Sequence, residues 1–348
     1  MTHIDNYSVH DFLSFRIISD SFTKGLSKLN RPFNYFLSDN ENRDPDVVVK
    51  IGQFKRKNIP AYIVDNKYFI AEDYFYCKDN DGRTKWELEM NGFESDHVEI
   101  NFRGNSSSVG QLIMPDYLVQ NIILRPLLEV LMLRRKRYPI HSLGLIYEGN
   151  AILFAARGGA HKTRMSMEIV RTRKADLLGD DWNILDESGT LFSYPFLPEI
   201  MRYRASKQQT GEISSPINKI KFLMTRGNQG ELSQLYSKKN GKVKSIILAS
   251  RTIGENDTII SRLEKNEVPT RLISSNQLEM MNEGIGASIP FFRYMQIYSY
   301  IFPNSRLANH WIKAKEFLGR TLKDVPSFEM KMQDQYDHSI FEAVLNLK

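Results

Sequence analysis

The chain has 348 residues, 41% apolar, 11% aromatic and 25% charged, the make-up of an ordinary folded protein and not of a disordered or fibrous one. A single cysteine, Cys77, excludes an internal disulfide, no apolar run nears the roughly 18 residues of a membrane span, and no secretory pattern opens the chain; a cytoplasmic protein of about two domains is expected. The net charge of +6, from 47 basic and 41 acidic residues, favours anionic partners without choosing among them.

The first forty residues mix aromatic and polar side chains and lead into a polar loop, Asp39–Asp46. Short strand-like runs follow at 47–54, 61–64, 68–71, 73–78, 86–90 and 98–102, separated by turn pairs such as Asp65-Asn66 and Asn91-Gly92. That spacing predicts a β-rich N-terminal domain over 1–114. From Pro115 to Arg137 the period becomes helical, through Leu118, Ile122, Leu124, Leu127, Leu128 and Leu131. Pro126 marks either a kink or a first turn. The closing run Arg134-Arg135-Lys136-Arg137 reads as a solvated helix end suited to the dipole, with a contact to RNA or acidic lipid as the alternative.

Ser142–Tyr147 and Ala151–Ala156, joined by Glu148-Gly149-Asn150, predict a hairpin. A glycine-rich stretch, Arg157 to Thr163, leads into a helix to about Arg173, and a short strand, Ala175–Leu178, ends at Gly179-Asp180-Asp181. Runs at 182–185 and 190–194 form a second hairpin. Beyond it we read a loop at Arg202–Pro216, strands at 219–224 and 243–248, and helices near 257–265, 275–281, 291–301 and 305–319. Segments 328–332 and 340–347 read as extended. The aromatic stretch Phe291–Phe302 reads as core or subunit contact, with an acceptor pocket as the alternative.

The chemistry concentrates in Ala151–Met165. A strand, a turn of small residues, Lys-Thr and a helix form an arrangement that cradles phosphates, because backbone N–H groups and the helix dipole favour an anion. Lys162 would supply a point charge to the phosphates and Thr163 a hydroxyl to a metal. Against the pattern G-x-x-x-x-G-K-[ST], Ala156 replaces the first glycine and His161 the second, leaving Gly158 and Gly159 in the loop. Eighteen residues after Lys162, Asp180-Asp181 follows the returning strand, which would bring both carboxylates to the same sheet edge. Such a pair can hold Mg²⁺ and take a proton from an attacking hydroxyl. His141 opens the strand that pairs with the one entering the loop. His97, His310 and His338 show no metal-ligand spacing.

Together His141-Ser142, the hairpin, Gly158-Gly159-Ala160-His161-Lys162-Thr163 and Leu178-Gly179-Asp180-Asp181-Trp182 resemble the HPr serine kinase/phosphorylase family, whose members share the phosphoenolpyruvate carboxykinase-like nucleotide-binding fold. The similarity covers about 50 residues, His141 to Leu185, and extends loosely to Leu248. The resemblance implies a kinase-like nucleotide-binding core, and with the β-rich domain read over 1–114 the expectation is a mixed α/β chain whose core, with a C-terminal helical subdomain, spans 115–348. It also implies transfer of the γ-phosphate of ATP to a hydroxyl. Lys162 would bind the β- and γ-phosphates, Thr163 and Asp181 the Mg²⁺, and Asp180 would be the base, with His141 near the transferring group. Arg157, Gly158, Gly159, Ala160, His161 and Arg164 would complete the nucleotide cradle. In HPr kinase itself an acidic residue follows the Lys-Ser pair; Arg164 stands there, so a divergent relative acting on another protein, a peptide or a small alcohol is expected. Arg202, Arg204 and Arg251 are candidates for a transition-state arginine.

A non-catalytic nucleotide sensor or scaffold is the alternative, motivated by the altered glycines. A nucleic-acid-associated protein is a third and weaker reading, since 41 acidic residues dilute the positive field and no recognition motif is present. The identity of the acceptor and the existence of a homo-oligomer are left open.

Overall fold

Eight strands near the N-terminus form one sheet. They are β1 (Thr2–Val9), β2 (Leu13–Asp20), β3 (Val47–Ile51), β4 (Tyr62–Val64), β5 (Tyr68–Ala71), β6 (Tyr74–Asn80), β7 (Thr84–Asn91) and β8 (Val98–Ser106), in the order β1-β2-β3-β8-β7-β6-β5-β4. The computed structural model describes residues 2–20, 35–39, 44–80, 84–106, 124–194, 236–254, 257–280 and 289–347. Within them the chain divides into two compact units, Met1–Arg135 with Met280–Ile312, and Lys136–Glu279 with Lys313–Lys348. The first unit thus takes in the later segment Met280–Ile312 as well as Met1–Arg135.

In the first unit the turn chemistry is local. Asp65 and Asn66 both take positive φ (53° and 52°), as the central residues of a type I′ turn do, and Lys67 N–H closes the turn on the Val64 carbonyl at 3.1 Å. No element was expected before residue 47, yet β1 and β2 are paired along their full length there. Helix α1 (Arg125–Arg134) carries Pro126 in its first described turn, and residues 115–123 of the expected helical segment lie outside the described residues. The basic run after it is largely occupied. The Arg134 guanidinium donates to the carbonyls of Phe93 (2.5 Å) and Ser95 (2.8 Å), and Arg135 pairs with Asp46 at 2.7 Å.

The aromatic stretch forms helix α4 (Ile289–Ile301). Tyr294 packs on Phe75 (ring centroids 4.2 Å apart) and Phe93 (5.8 Å), and the Tyr298 hydroxyl accepts from the Asp73 N–H at 3.2 Å. These two rings are core, as the first of the two readings has it.

The second unit is a nine-stranded sheet. Its strands are β9 (Arg137–His141), β10 (Leu143–Tyr147), β11 (Asn150–Ala156), β12 (Asp176–Gly179), β13 (Trp182–Asp186), β14 (Thr190–Ser193), β15 (Gly241–Arg251), β16 (Ile259–Arg262) and β17 (Ser327–Met332). The order is β12-β10-β11-β15-β14-β13-β9, with β17 beside β15 and β16 beside β17. β11, β15 and β17 run parallel, and the other pairs are antiparallel. Buried parallel strands read as unbroken apolar runs, which is what Ala151–Ala156 is. Helix α2 (Lys162–Thr172) buries Met165 and Ile169 against Leu143, Leu145, Ile152 and Phe154. Each such side chain contributes about 1.5–3 kcal/mol on burial. Helix α3 (Glu267–Met280) precedes α4, and α5 (His310–Thr321) and α6 (His338–Asn346) follow it.

Two expectations are corrected. The helix placed at 257–265 is strand β16, antiparallel to β17; the β-branched Thr258-Ile259-Ile260 run suits a strand, and the helix begins only at Glu267. The extended end placed at 340–347 is helix α6. Asp337 caps it, accepting from the Ser339 N–H at 2.7 Å, and Ile340, Phe341, Val344 and Leu345 fall on one buried face. The loop at 202–216 and the strand at 219–224 lie outside the described residues.

Candidate functional site

The site lies in the second unit, where β11 ends at Ala156 and α2 begins at Lys162. Arg157 to His161 make the connection. Gly159 takes φ +87°, a left-handed conformation that a side chain would strain. His161 is also left-handed (φ 59°, ψ 5°), unusual for a non-glycine residue, and its side chain explains how it is held. The ring is buried, turned toward Tyr336 (centroids 5.5 Å apart), with Nε2 at 3.4 Å from the Gln333 carbonyl. Tyr336 in turn donates to Glu168 on α2. The histidine that replaces the pattern's glycine thus points to the β17–α6 connection. No side chain caps the start of α2, which leaves first-turn N–H groups for an anion.

Lys162 is buried, and its ammonium is already engaged. Nζ donates to the Ala156 carbonyl at 2.6 Å and contacts His141 Nε2 at 2.7 Å, with Asp181 Oδ1 at 3.7 Å. Burial pulls the Lys162 pKa below its ordinary value, and Asp181, Glu279 and Asp180 oppose that. His141 ends β9 opposite Trp182 of β13. Its Nδ1 lies 3.1 Å from the Ser275 hydroxyl. If Nε2 accepts from the lysine, Nδ1 carries the ring proton and donates to Ser275, so the two contacts select one tautomer.

Asp180 and Asp181 are the two-residue link between β12 and β13. A Cβ on Gly179 would come within 2.1 Å of the Trp182 carbonyl, so only glycine permits this tight link. The Ser142 N–H donates to the Asp181 carbonyl at 2.9 Å, tying the link to the start of β10. Asp180 is fully buried and lies in contact with the Ser166 hydroxyl, one turn along α2 from Lys162. The Thr163 hydroxyl approaches the carboxylate more loosely, and Oδ2 has no hydrogen-bond partner of full geometry among the described residues. Burial, then the Asp181 charge, push the Asp180 carboxyl up to about 7. Ser166 also contacts the Lys162 carbonyl (3.1 Å), and its hydroxyl has one proton to give. It donates to Asp180 when that group is ionised. When Asp180 is protonated, Ser166 accepts from it and donates to the carbonyl instead.

Helix α3 supplies three residues that sequence reasoning missed. Asn276 accepts from the His141 N–H (2.9 Å) and donates to the Pro139 carbonyl (2.7 Å), and Ser275 holds the ring. Glu279 Oε2 lies 3.7 Å from His141 Nε2 and 3.4 Å from Arg157 NH1. The readable signal was a polar trio at three- and four-residue spacing beside the buried Leu272 and Ile273.

The remaining expected residues are placed as follows. Gly158 and Gly159 are exposed in the loop, Ala160 is buried, and Arg164 is exposed on α2. Arg251, at the end of β15, approaches the loop: NH2 is 4.0 Å from where a Gly159 side chain would begin, and Nε pairs with Asp334 at 3.4 Å. Arg202 and Arg204 lie outside the described residues. His310 faces the buried Glu129 at 3.7 Å, and His338 bonds Glu168. Among the described residues no three His, Cys, Asp or Glu groups are arranged to hold a metal unaided, and no described helix is long and apolar enough to cross a membrane. The chain matches no protein-family model and no curated protein.

Proposed function

We propose that the second unit is a divergent HPr kinase-like core and that the protein is an ATP- and Mg²⁺-dependent kinase acting on a hydroxyl. The observation that carries this reading is the convergence of Lys162 with the aspartate pair: Nζ stands 3.7 Å from Asp181 Oδ1, and Asp180 contacts the same helix one turn on. The uncapped start of α2, Lys162 and Arg157 suit the phosphates of a nucleotide. The donor set near them is oxygen-rich, as a hard cation prefers. The Asp181 carboxylate and the Thr163 hydroxyl fit Mg²⁺, which uses one or two carboxylates together with substrate phosphates. Such an ion would neutralise charge on the β- and γ-phosphates.

In this reading the bond between the γ-phosphorus and the ADP oxygen breaks while the acceptor oxygen bonds to that phosphorus. Asp180 takes the acceptor's proton. A base poised near neutrality matches that task, and burial beside Asp181 puts Asp180 there. Lys162 orients the phosphates, and His141, fixed by Ser275 and Asn276, positions Lys162.

A non-catalytic nucleotide sensor is the second reading. It is favoured by the engagement of Lys162 with the Ala156 carbonyl and His141. A transfer screen with labelled ATP against protein, peptide, amino-acid and sugar acceptors separates the two. The kinase reading expects labelled product from the natural chain and none from Lys162→Ala. ATP binding with no transfer to any acceptor and no ADP release would leave the sensor.

A further inference from the structure

Glu279 places a carboxylate among the cations of the site. Its Oε2 lies 3.4 Å from Arg157 NH1 and 3.7 Å from His141 Nε2, and its charge acts on Lys162. Arg157 NH1 also donates to the Ser275 carbonyl at 3.2 Å, one turn earlier on α3. The residue at the head of the glycine loop is therefore tied to α3 at two points. To a guanidinium, a carboxylate and a phosphate present equivalent acceptor oxygens. Of the groups near Glu279, Arg157 and Lys162 are those the kinase reading assigns to phosphate. Its side chain is one-fifth exposed, against 6% for Lys162, so it can swing out without stranding a charge in the interior.

We propose that Glu279 is an internal counter-anion: it holds Arg157 and the loop until a polyphosphate displaces it. This rests on the nucleotide reading and adds to it a competitor built into the chain. Because Glu279 is tethered beside Arg157, it competes at a high effective concentration and lowers the affinity for any phosphate that uses the same guanidinium. A metal-ligand role for the same carboxylate would have the opposite sign, since its removal would weaken binding in the presence of Mg²⁺.

The test is calorimetric titration of the whole chain with inorganic tripolyphosphate, first without divalent metal and then with Mg²⁺. Glu279→Gln is expected to bind about ten-fold tighter than the natural chain in both conditions. Glu279→Asp, one methylene shorter, is expected to show a smaller gain and guards against misfolding of the first variant. In an Arg157→Gln background the gain from Glu279→Gln should vanish, as a double-mutant cycle requires of a direct contact. Unchanged or weaker binding by Glu279→Gln would overturn the proposal. So would a gain that persists in full without Arg157, which would mean a general field effect. If neither tripolyphosphate nor ATP binds the folded natural chain or the variants, the nucleotide reading fails and this proposal with it. Equal binding to all of them overturns the role of Glu279 alone.

Discussion

Glu89 in the first unit and Asp180 in the second are both buried almost completely, and their surroundings differ. Glu89 is answered at both oxygens: it accepts from the Lys57 N–H (2.8 Å), the Tyr74 hydroxyl (3.0 Å) and the Asn101 amide (3.0 Å). Asp180 has one close hydroxyl, a second oxygen without a well-placed donor, and another carboxylate next to it. A buried carboxylate with both oxygens answered belongs to the architecture. One left short of donors stores a cost that a fold tolerates where the group has chemistry to perform. Charge and burial alone do not separate the two cases; the count of donors does.

The comparison breaks if the two acids respond alike to neutralisation. The largest effect is expected at Asp180→Asn, where transfer should fall by about 10²–10⁴-fold in kcat while ATP affinity stays near that of the natural chain. Steady-state kinetics beside calorimetry read both quantities, and full activity in this variant would remove Asp180 from the reaction. Glu89→Gln should act the other way. Its amide must face at least one of the three donors, so stability should fall by about 1–3 kcal/mol in urea unfolding, with transfer per folded molecule unchanged. Tyr336→Phe sharpens the picture at the smallest scale. Losing the hydroxyl that donates to Glu168 should cost about 1 kcal/mol and loosen the support of His161, read as a lower Tm and a modestly weaker Kd for ATP.

Much of this was legible in the sequence where local chemistry decides. The strands of 47–102 were readable because turn residues such as Asp65-Asn66 punctuate them, and β11 because a doubly covered strand is apolar throughout. Helix α6 carries a helical pattern too, apolar pairs 340–341 and 344–345 behind the Asp337 cap, and only the density of apolar residues there suggests an extended run. β16 is four residues long and owes its existence to pairing with β17, a non-local cause. Lys162, Asp180 and Asp181 were found because one helix and one strand separate them. Ser275, Asn276 and Glu279 reach the same place from a distant helix that no local pattern connects to the loop.

The perturbed carboxyl also fixes the sign of two pH dependences. Asp180 holds its proton more tightly folded than unfolded, so its contribution to stability declines as pH rises from the ordinary carboxylate value of 3.8 to about 7. Asp180→Asn, which cannot ionise, should be at least as stable as the natural chain at pH 8. Catalysis runs the other way, because only the ionised group accepts a proton. The most direct measurement is the rate of ADP release from pH 5.5 to 9 with saturating ATP, Mg²⁺ and acceptor. The account predicts a rate that climbs with pH as Asp180 ionises and a residual rate in Asp180→Asn that lacks this limb. A flat profile in the natural chain, or the same limb in the variant, would contradict it.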